Sequence, residues 1–196
     1  RQYNLWINAP GDNGILMCSI FFDYDLVYGD EVLIEKITQS IFDNTHKNDL
    51  FYAYLGADAL KNPPPLGFFK QFVVENDGEN KDTFDIKARA LMPLIDAGRI
   101  LTINKEIRNV NNTYLRYKKL AELEPQNQDL YEACADAFLT LLTFRTEEGL
   151  KNESNGRYLN LSELSKLDKV KLKNCFSPIE GIQELLKTRF QLTYFT

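Results

Sequence analysis

The chain is poor in the residues that most often carry chemistry. It has one histidine, one tryptophan, two methionines and three cysteines in 196 residues. Cys18, Cys134 and Cys175 are an odd count at wide spacing, which excludes a disulfide framework and suits a reducing compartment. Each lies in an apolar context and reads as a small buried hydrophobe. The lone His46 has no partner for a His/Cys metal site, sits in a polar stretch from Asn44 to Asn48, and reads as solvent-facing. No serine stands in a G-x-S-x-G setting, so nothing supports a serine hydrolase. A helical ribonuclease would need an arginine a few residues before a histidine on one helix, and His46 has none.

The phosphate-gripping motifs are missing as well. There is no G-x-x-x-x-G-K-[ST], no G-x-G-x-x-G and no Gly-Ser pair. No basic segment precedes an apolar run as in a signal peptide. No apolar stretch approaches the ~20 residues of a membrane span. The sequence begins at Arg1 rather than Met and reads as cut from a longer, cytoplasmic protein. The net charge is −5. The only basic clusters are Arg116 with Lys118 and Lys119, and Lys166 to Lys173, the latter interrupted by Asp168. Neither makes the stripe expected of a nucleic-acid-binding surface.

What is present is ordinary globular composition, 44% hydrophobic and 26% charged, in a chain long enough to bury a real core. Ser19 to Tyr28 reads as a strand, with β-favouring Ile20, Phe21, Phe22, Val27 and Tyr28 ahead of a Gly29-Asp30 turn. From there the pattern turns helical. Asp30 can cap a helix carrying Leu33, Ile34, Ile37 and Ile41, and Asn48 or Asp49 opens another to Leu60 with Phe51, Tyr54 and Leu55 inward. The proline run at 63–65 ends it. Thr83, Phe84 and Ile86 suggest a short strand pairing back on Phe72 to Val74. Helices follow over about 87–107 with an early kink at Pro93, from Asn112 or Thr113 to Leu123, from Pro125 to about Leu150, and from about Ser165 to Phe190 with a bend at Pro178. The long one carries Leu130, Ala133, Ala137, Phe138, Leu141 and Leu142 as its stripe. The expected fold is mainly α, an antiparallel helical bundle with a short N-terminal strand and a small β-hairpin.

Two groups of residues invite a chemical reading. Asp23 and Asp25 form the sole Asp-x-Asp; on a strand their side chains share one face, ~6.5 Å apart, where they could hold Mg²⁺. A solvated strand edge is the plainer alternative. The second group is Asp82, Asp85, Lys87, Arg89, Asp96 and Arg99, interleaved with apolar residues. It reads either as a helix with salt-bridged flanks or as a charged pocket wall for a phosphate or acidic ligand.

The stretch Ser19-Ile-Phe-Phe-Asp-Tyr-Asp-Leu-Val-Tyr-Gly-Asp30 resembles the end of a nucleotidyltransferase-like domain. Trp6-Ile7 and Pro10 fit the segment leading to it. Pro64-Pro-Leu-Gly-Phe-Phe-Lys-Gln-Phe72, Asp77-Gly-Glu-Asn-Lys-Asp82, Phe84-Asp-Ile-Lys87, Leu91-Met-Pro-Leu-Ile-Asp-Ala-Gly-Arg99 and Leu172-Lys-Asn-Cys-Phe-Ser-Pro-Ile179 resemble the C-terminal substrate-binding helical domain of the same family. That family stands behind CBS and cyclic-nucleotide-binding domains in bacterial signalling proteins. It is related to PII uridylyltransferase and glutamine-synthetase adenylyltransferase.

The resemblance implies that residues 1–30 are the C-terminal remnant of the nucleotidyltransferase domain and 31–196 the substrate-binding or regulatory domain. It implies Asp23 as a third catalytic carboxylate, while Asp23 and Asp25 remain the metal-ligand candidates that the Asp-x-Asp pattern gives. Lys70, Asp85, Lys87, Arg89, Asp96 and Arg99 become substrate-binding candidates. The chain alone would be inactive and hold no cofactor. Mg²⁺ and a nucleoside triphosphate would be used by the full-length protein. The implied partners are the upstream transferase and sensor domains and a protein acceptor, with a homodimer also compatible, and neither nucleic acid nor membrane. Two positions depart from the family's pattern: Asp25 stands where it usually has arginine, and Thr146-Glu147-Glu148 replaces a basic and amide-rich run. The rival expectation is a non-catalytic interaction or dimerisation module.

Overall fold

The structure is a computed structural model. It describes residues 2–62, 65–67 and 71–192, the side chain of residue 12 aside. Helices dominate, as the sequence predicts. In chain order they are α1 (Gln2–Asn8), α2 (Asp12–Phe21), α3 (Glu31–Thr45), α4 (Asp49–Ala59), α5 (Met92–Asn104), α6 (Thr113–Leu123), α7 (Gln128–Lys151), α8 (Lys166–Asn174) and α9 (Phe176–Arg189). Two two-residue strands, β1 (Phe84–Asp85) and β2 (Tyr158–Leu159), pair antiparallel with Phe84 opposite Leu159. Among the described residues no helix is long and apolar enough to cross a membrane.

Side-chain caps set several helix starts. Asp30 accepts from Val32 N at 2.9 Å, Asn48 from Phe51 N at 3.1 Å, Asn112 from Leu115 N at 3.1 Å and Ser165 from Asp168 N at 3.1 Å. Ahead of α5 the chain makes a π-helical turn over Lys87–Leu91. Pro93 lacks the N–H that would bond back to Arg89, so the early kink expected there takes the form of a widened turn. The last helical stretch breaks at Cys175, and Pro178 falls in the first turn of α9. The proline ring excludes a helical carbonyl at Asn174, so the bend lies three residues before the proline.

Helices α5, α6, α7 and α9 form the centre. α7 packs along both α6 and α9, and α5 crosses α6 and α9. Tyr117 and Tyr131 are fully buried there, and Tyr117 donates its hydroxyl proton to Leu94 O at 2.7 Å. The close approach of α5 and α6 falls at Gly98, where even a methyl group would touch the Tyr117 ring. Helices α1 and α2 pair, then pack on α3 and α4 respectively, and α4 packs on α5. The hydrophobic core is continuous from Ile7 through Leu192.

Two expectations fail. The strand over Ser19–Tyr28 is absent: α2 runs to Phe21, and residues 22–30 are bends and irregular backbone. Ile15, Cys18 and Phe22, at helical spacing, are the buried positions, while Leu16, Ile20 and Phe21 stay about half exposed. β1 also pairs with β2 instead of Phe72 to Val74. Phe72 bridges Leu66 and packs its ring edge-on to Phe84, 5.6 Å between centroids. A tight connection does form nearby, with Glu75 N bonded to Thr83 O and Asp82 N to Glu75 O.

Candidate functional site

The irregular segment after α2 delivers three consecutive polar side chains to three different elements. Asp23 reaches α5 and α6. Tyr24 shares a 2.7 Å hydrogen bond with Thr38 on α3. Asp25 accepts from its neighbour Leu26 N at 2.8 Å and from Asn111 Nδ2, just ahead of α6, at 2.9 Å.

Asp23 is the centre of the arrangement. Arg99 of α5 donates to its Oδ2 through Nε, at 3.1 Å, and through Nη2. Arg116 of α6 donates to its Oδ1 through Nη2. Arg99 also gives Nη1 to Asp96, one turn earlier on α5, at 3.0 Å. Asp96 in turn accepts from Asn62 Nδ2 at 3.2 Å. Arg116 gives Nε to Val110 O at 3.1 Å, and its Nη1 is buried with no partner among the described residues. Arg99 is 8% exposed and Arg116 3%. Two buried arginines and two aspartates thus neutralise one another, with Asp23 closing the cluster from its partly exposed side.

Burial pushes the Asp23 carboxyl up, but hydrogen bonds and charge from Arg99 and Arg116 outweigh it and hold the carboxyl below the usual carboxylate range. For Asp96 the balance is reversed. Burial and the nearby Asp58 charge outweigh Arg99 and Asn62, and its carboxyl is raised.

These contacts bear on whether the Asp-x-Asp pair fits a metal. Both Asp23 oxygens face guanidinium groups, so a dication there would meet two fixed positive charges. The strand alternation that would align the two carboxylates is absent, and Asp25 accepts from Leu26 and Asn111. The pair does not fit a metal site. Among the described residues no three His, Cys, Asp or Glu side chains cluster as ligands would.

The substrate-binding candidates divide. Asp96 and Arg99 meet in the cluster just described. Asp85 is buried at the other end of the α5 segment, where Oδ1 caps Ala88 N at 2.9 Å and Oδ2 receives Arg157 through Nε at 3.0 Å and Nη2 at 2.7 Å. Arg89 pairs with Glu75 through Nη2 at 3.1 Å. Lys87 is exposed, and Lys70 lies outside the described residues. His46 is exposed as expected, paired with Glu106 at 2.8 Å. The thiols are buried and unpaired. Burial pushes Cys18 up to about 12 and Cys175 up to about 11, which makes them poor nucleophiles.

Sequence reasoning missed Arg116, although the signal was there. Thr113, Arg116, Tyr117 and Leu120 share one helical face, and the other three are buried. An arginine on an inward face needs an internal anion. Also missed was Glu124, 4% exposed, which gathers Tyr131 OH, Arg189 Nη2 at 2.6 Å and Lys105 Nζ at 2.6 Å between α6, α7 and α9.

Beside the Asp23 cluster lies a cavity of about 80 Å³. Arg99, Arg116, Arg108, Asn111 and Asp25 line it together with Phe22, Ile41, Phe42 and Ile103, and the Arg108 guanidinium lies over the Phe42 ring. Both buried arginines of the cluster line it.

The family model for "putative nucleotidyltransferase substrate binding domain" matches residues 49–190. The chain belongs to that family. The match runs from the first residue of α4 to the residue after α9. The substrate-binding domain so defined holds Arg99, Arg116 and Asp96, while Asp23 reaches them from the segment before it. No curated protein and no solved structure shows significant similarity to the chain.

Proposed function

We propose that this substrate-binding domain is the acceptor-side or regulatory part of a nucleotidyltransferase-like signalling protein of the CBS-associated kind, and that it transfers no nucleotide by itself. The observation that carries the reading is the pairing of Asp23 with Arg99 and Arg116. A carboxylate that must align a metal needs its lone pairs facing the ion. Here they face two buried cations that fasten the segment after α2 to α5 and α6. The carboxylate that would complete a transferase centre is a structural tie, so the chemistry falls to a neighbouring domain of the full-length protein. Mg²⁺ and the nucleoside triphosphate that reacts would bind in that domain. Three unpaired buried thiols suit a cytoplasmic setting.

The test is incorporation of labelled nucleotide with Mg²⁺ into candidate acceptor proteins, run with this chain and with the full-length protein. The chain alone is expected to give none, and turnover by it would overturn the reading.

A second reading, a non-catalytic interaction or dimerisation module, is favoured by one feature. Leu16, Ile20 and Phe21 on α2 and Val32, Leu33 and Ile37 on α3 are each more than 40% exposed. Sedimentation equilibrium of the wild type and of Ile20→Glu with Leu33→Glu separates the two. Self-association lost in the variant supports the module.

A further inference from the structure

The geometry points to a phosphoryl-binding site at Arg99 and Arg116, in which Asp23 sits as an internal stand-in that a phosphate-bearing ligand displaces. The inference deepens the substrate-binding reading by naming the ligand chemistry, and rests on it.

The count of donors is the first argument. Arg99 and Arg116 together aim three N–H-bearing nitrogens at the Asp23 carboxylate, Nε and Nη2 of Arg99 and Nη2 of Arg116. A fourth, Nη1 of Arg116, is buried and bonded to nothing among the described residues. Buried donors are nearly always satisfied, and one that is not calls for an explanation. A carboxylate has two oxygens, both already taken. A phosphoryl group brings three terminal oxygens, enough to replace both Asp23 oxygens and reach the spare nitrogen.

The cavity places further donors beside the two arginines. Arg99 and Arg116 both line the cavity, and so do Arg108 and the carboxamide-bearing Asn109 and Asn111. With Asp23 and Asp96 present, the two buried arginines are balanced. With Asp23 withdrawn they carry one net positive charge, Arg108 and Asp25 on the cavity wall offset each other, and a dianion gains from the two buried guanidinium groups. The apolar side chains that also line it, Phe22, Ile41, Phe42 and Ile103, suit a small organic body attached to the phosphate.

Asp23 is free to leave. It belongs to no helix or strand, and its side chain is 31% exposed although its partners are buried. The segment that follows is nearly free of the fold, with Val27 and Tyr28 97% exposed or more. Arg99 keeps Asp96 and Arg116 keeps Val110 O when Asp23 swings out, so neither side chain loses its orientation.

The test is calorimetric titration of the chain at constant ionic strength with inorganic phosphate, AMP and acetate. It is run on the wild type, Asp23→Asn and Arg116→Gln. An internal competitor lowers apparent affinity by the fraction of time it holds the site, so Asp23→Asn is expected to bind phosphate at least about tenfold more tightly than wild type. Arg116→Gln is expected to lose binding. Tighter binding of AMP than of phosphate assigns the site to a nucleotide, and equal binding to free phosphate. An Asp23→Asn protein with wild-type helical circular dichroism and no gain in phosphate affinity would overturn the proposal, even if Arg116→Gln does not fold. Acetate binding as tightly as phosphate would overturn the phosphoryl assignment. None of these readouts involves nucleotide transfer, so their failure leaves the acceptor-side reading standing.

Discussion

Arg99 and Asp23 are 76 positions apart in sequence, yet the guanidinium of one grips the carboxylate of the other from two nitrogens. The contact fastens the segment after α2 onto the centre of the bundle, and Arg116 repeats it from the next helix. Arg99→Ala would leave Asp23 with one partner and Asp96 with only Asn62 in a buried setting. The expected loss is about 2–3 kcal/mol, below the full cost of breaking a buried pair because Asp23 is partly solvated. Urea unfolding measures it. A loss under about 0.5 kcal/mol would place the pair with ordinary surface salt bridges.

A second buried ionic knot makes stability depend on pH. Glu124 is opposed by burial, but Arg189, Lys105 and Tyr131 all donate to it, and its carboxyl is held down to about 2 from an ordinary 4.5. The folded state therefore binds the proton less readily than the unfolded state. The contribution of Glu124 is complete above pH 4.5 and is lost as pH falls from 4.5 towards 2. A difference of this size corresponds to about 3 kcal/mol at most. Urea midpoints taken across this range should fall steeply in the wild type and much less in Glu124→Gln, which starts lower.

The turn after α7 depends on a glycine. Gly156 has φ +64°, and a Cβ there would lie 1.8 Å from Arg145 O. Backbone cannot yield as a side-chain tip can, so Gly156→Ala should cost more than about 2 kcal/mol and loosen β2 from β1. Thermal unfolding checks the first part. Faster amide exchange at Ile86, whose N–H bonds to Arg157 O at 3.0 Å, checks the second.

Sequence periodicity was a good guide wherever apolar residues kept to one face and a cap stood before them. Asp30, Asn48 and Asn112 all open helices as expected. It failed over α2, where apolar side chains surround the helix. Ile20 and Phe21 point outward while Ile15 and Cys18 point in, so the run imitated a β-pattern. Within otherwise correct helices some stripe members were misplaced: Tyr54 and Leu142 are each 40% exposed, while Tyr131 and Cys134 take the inward positions of α7. The candidate site was half legible. Asp96 and Arg99 lie one turn apart and could be paired on paper, but their meeting with Asp23 and Arg116 depends on how α2, α5 and α6 pack. No local pattern encodes that. β1 pairing with β2, across α5, α6 and α7, was hidden for the same reason.

The central claim is that Asp23 serves guanidinium groups and not a metal. Carboxyl-carbon NMR of selectively labelled aspartate, titrated from pH 7 downward with and without millimolar Mg²⁺, tests it at the atom concerned. The expected result is an Asp23 resonance that titrates below the ordinary carboxylate range, moves back up in Arg116→Gln, and does not respond to Mg²⁺. An Asp23 signal that titrates as a free aspartate, or shifts in saturable fashion with Mg²⁺, would contradict the account.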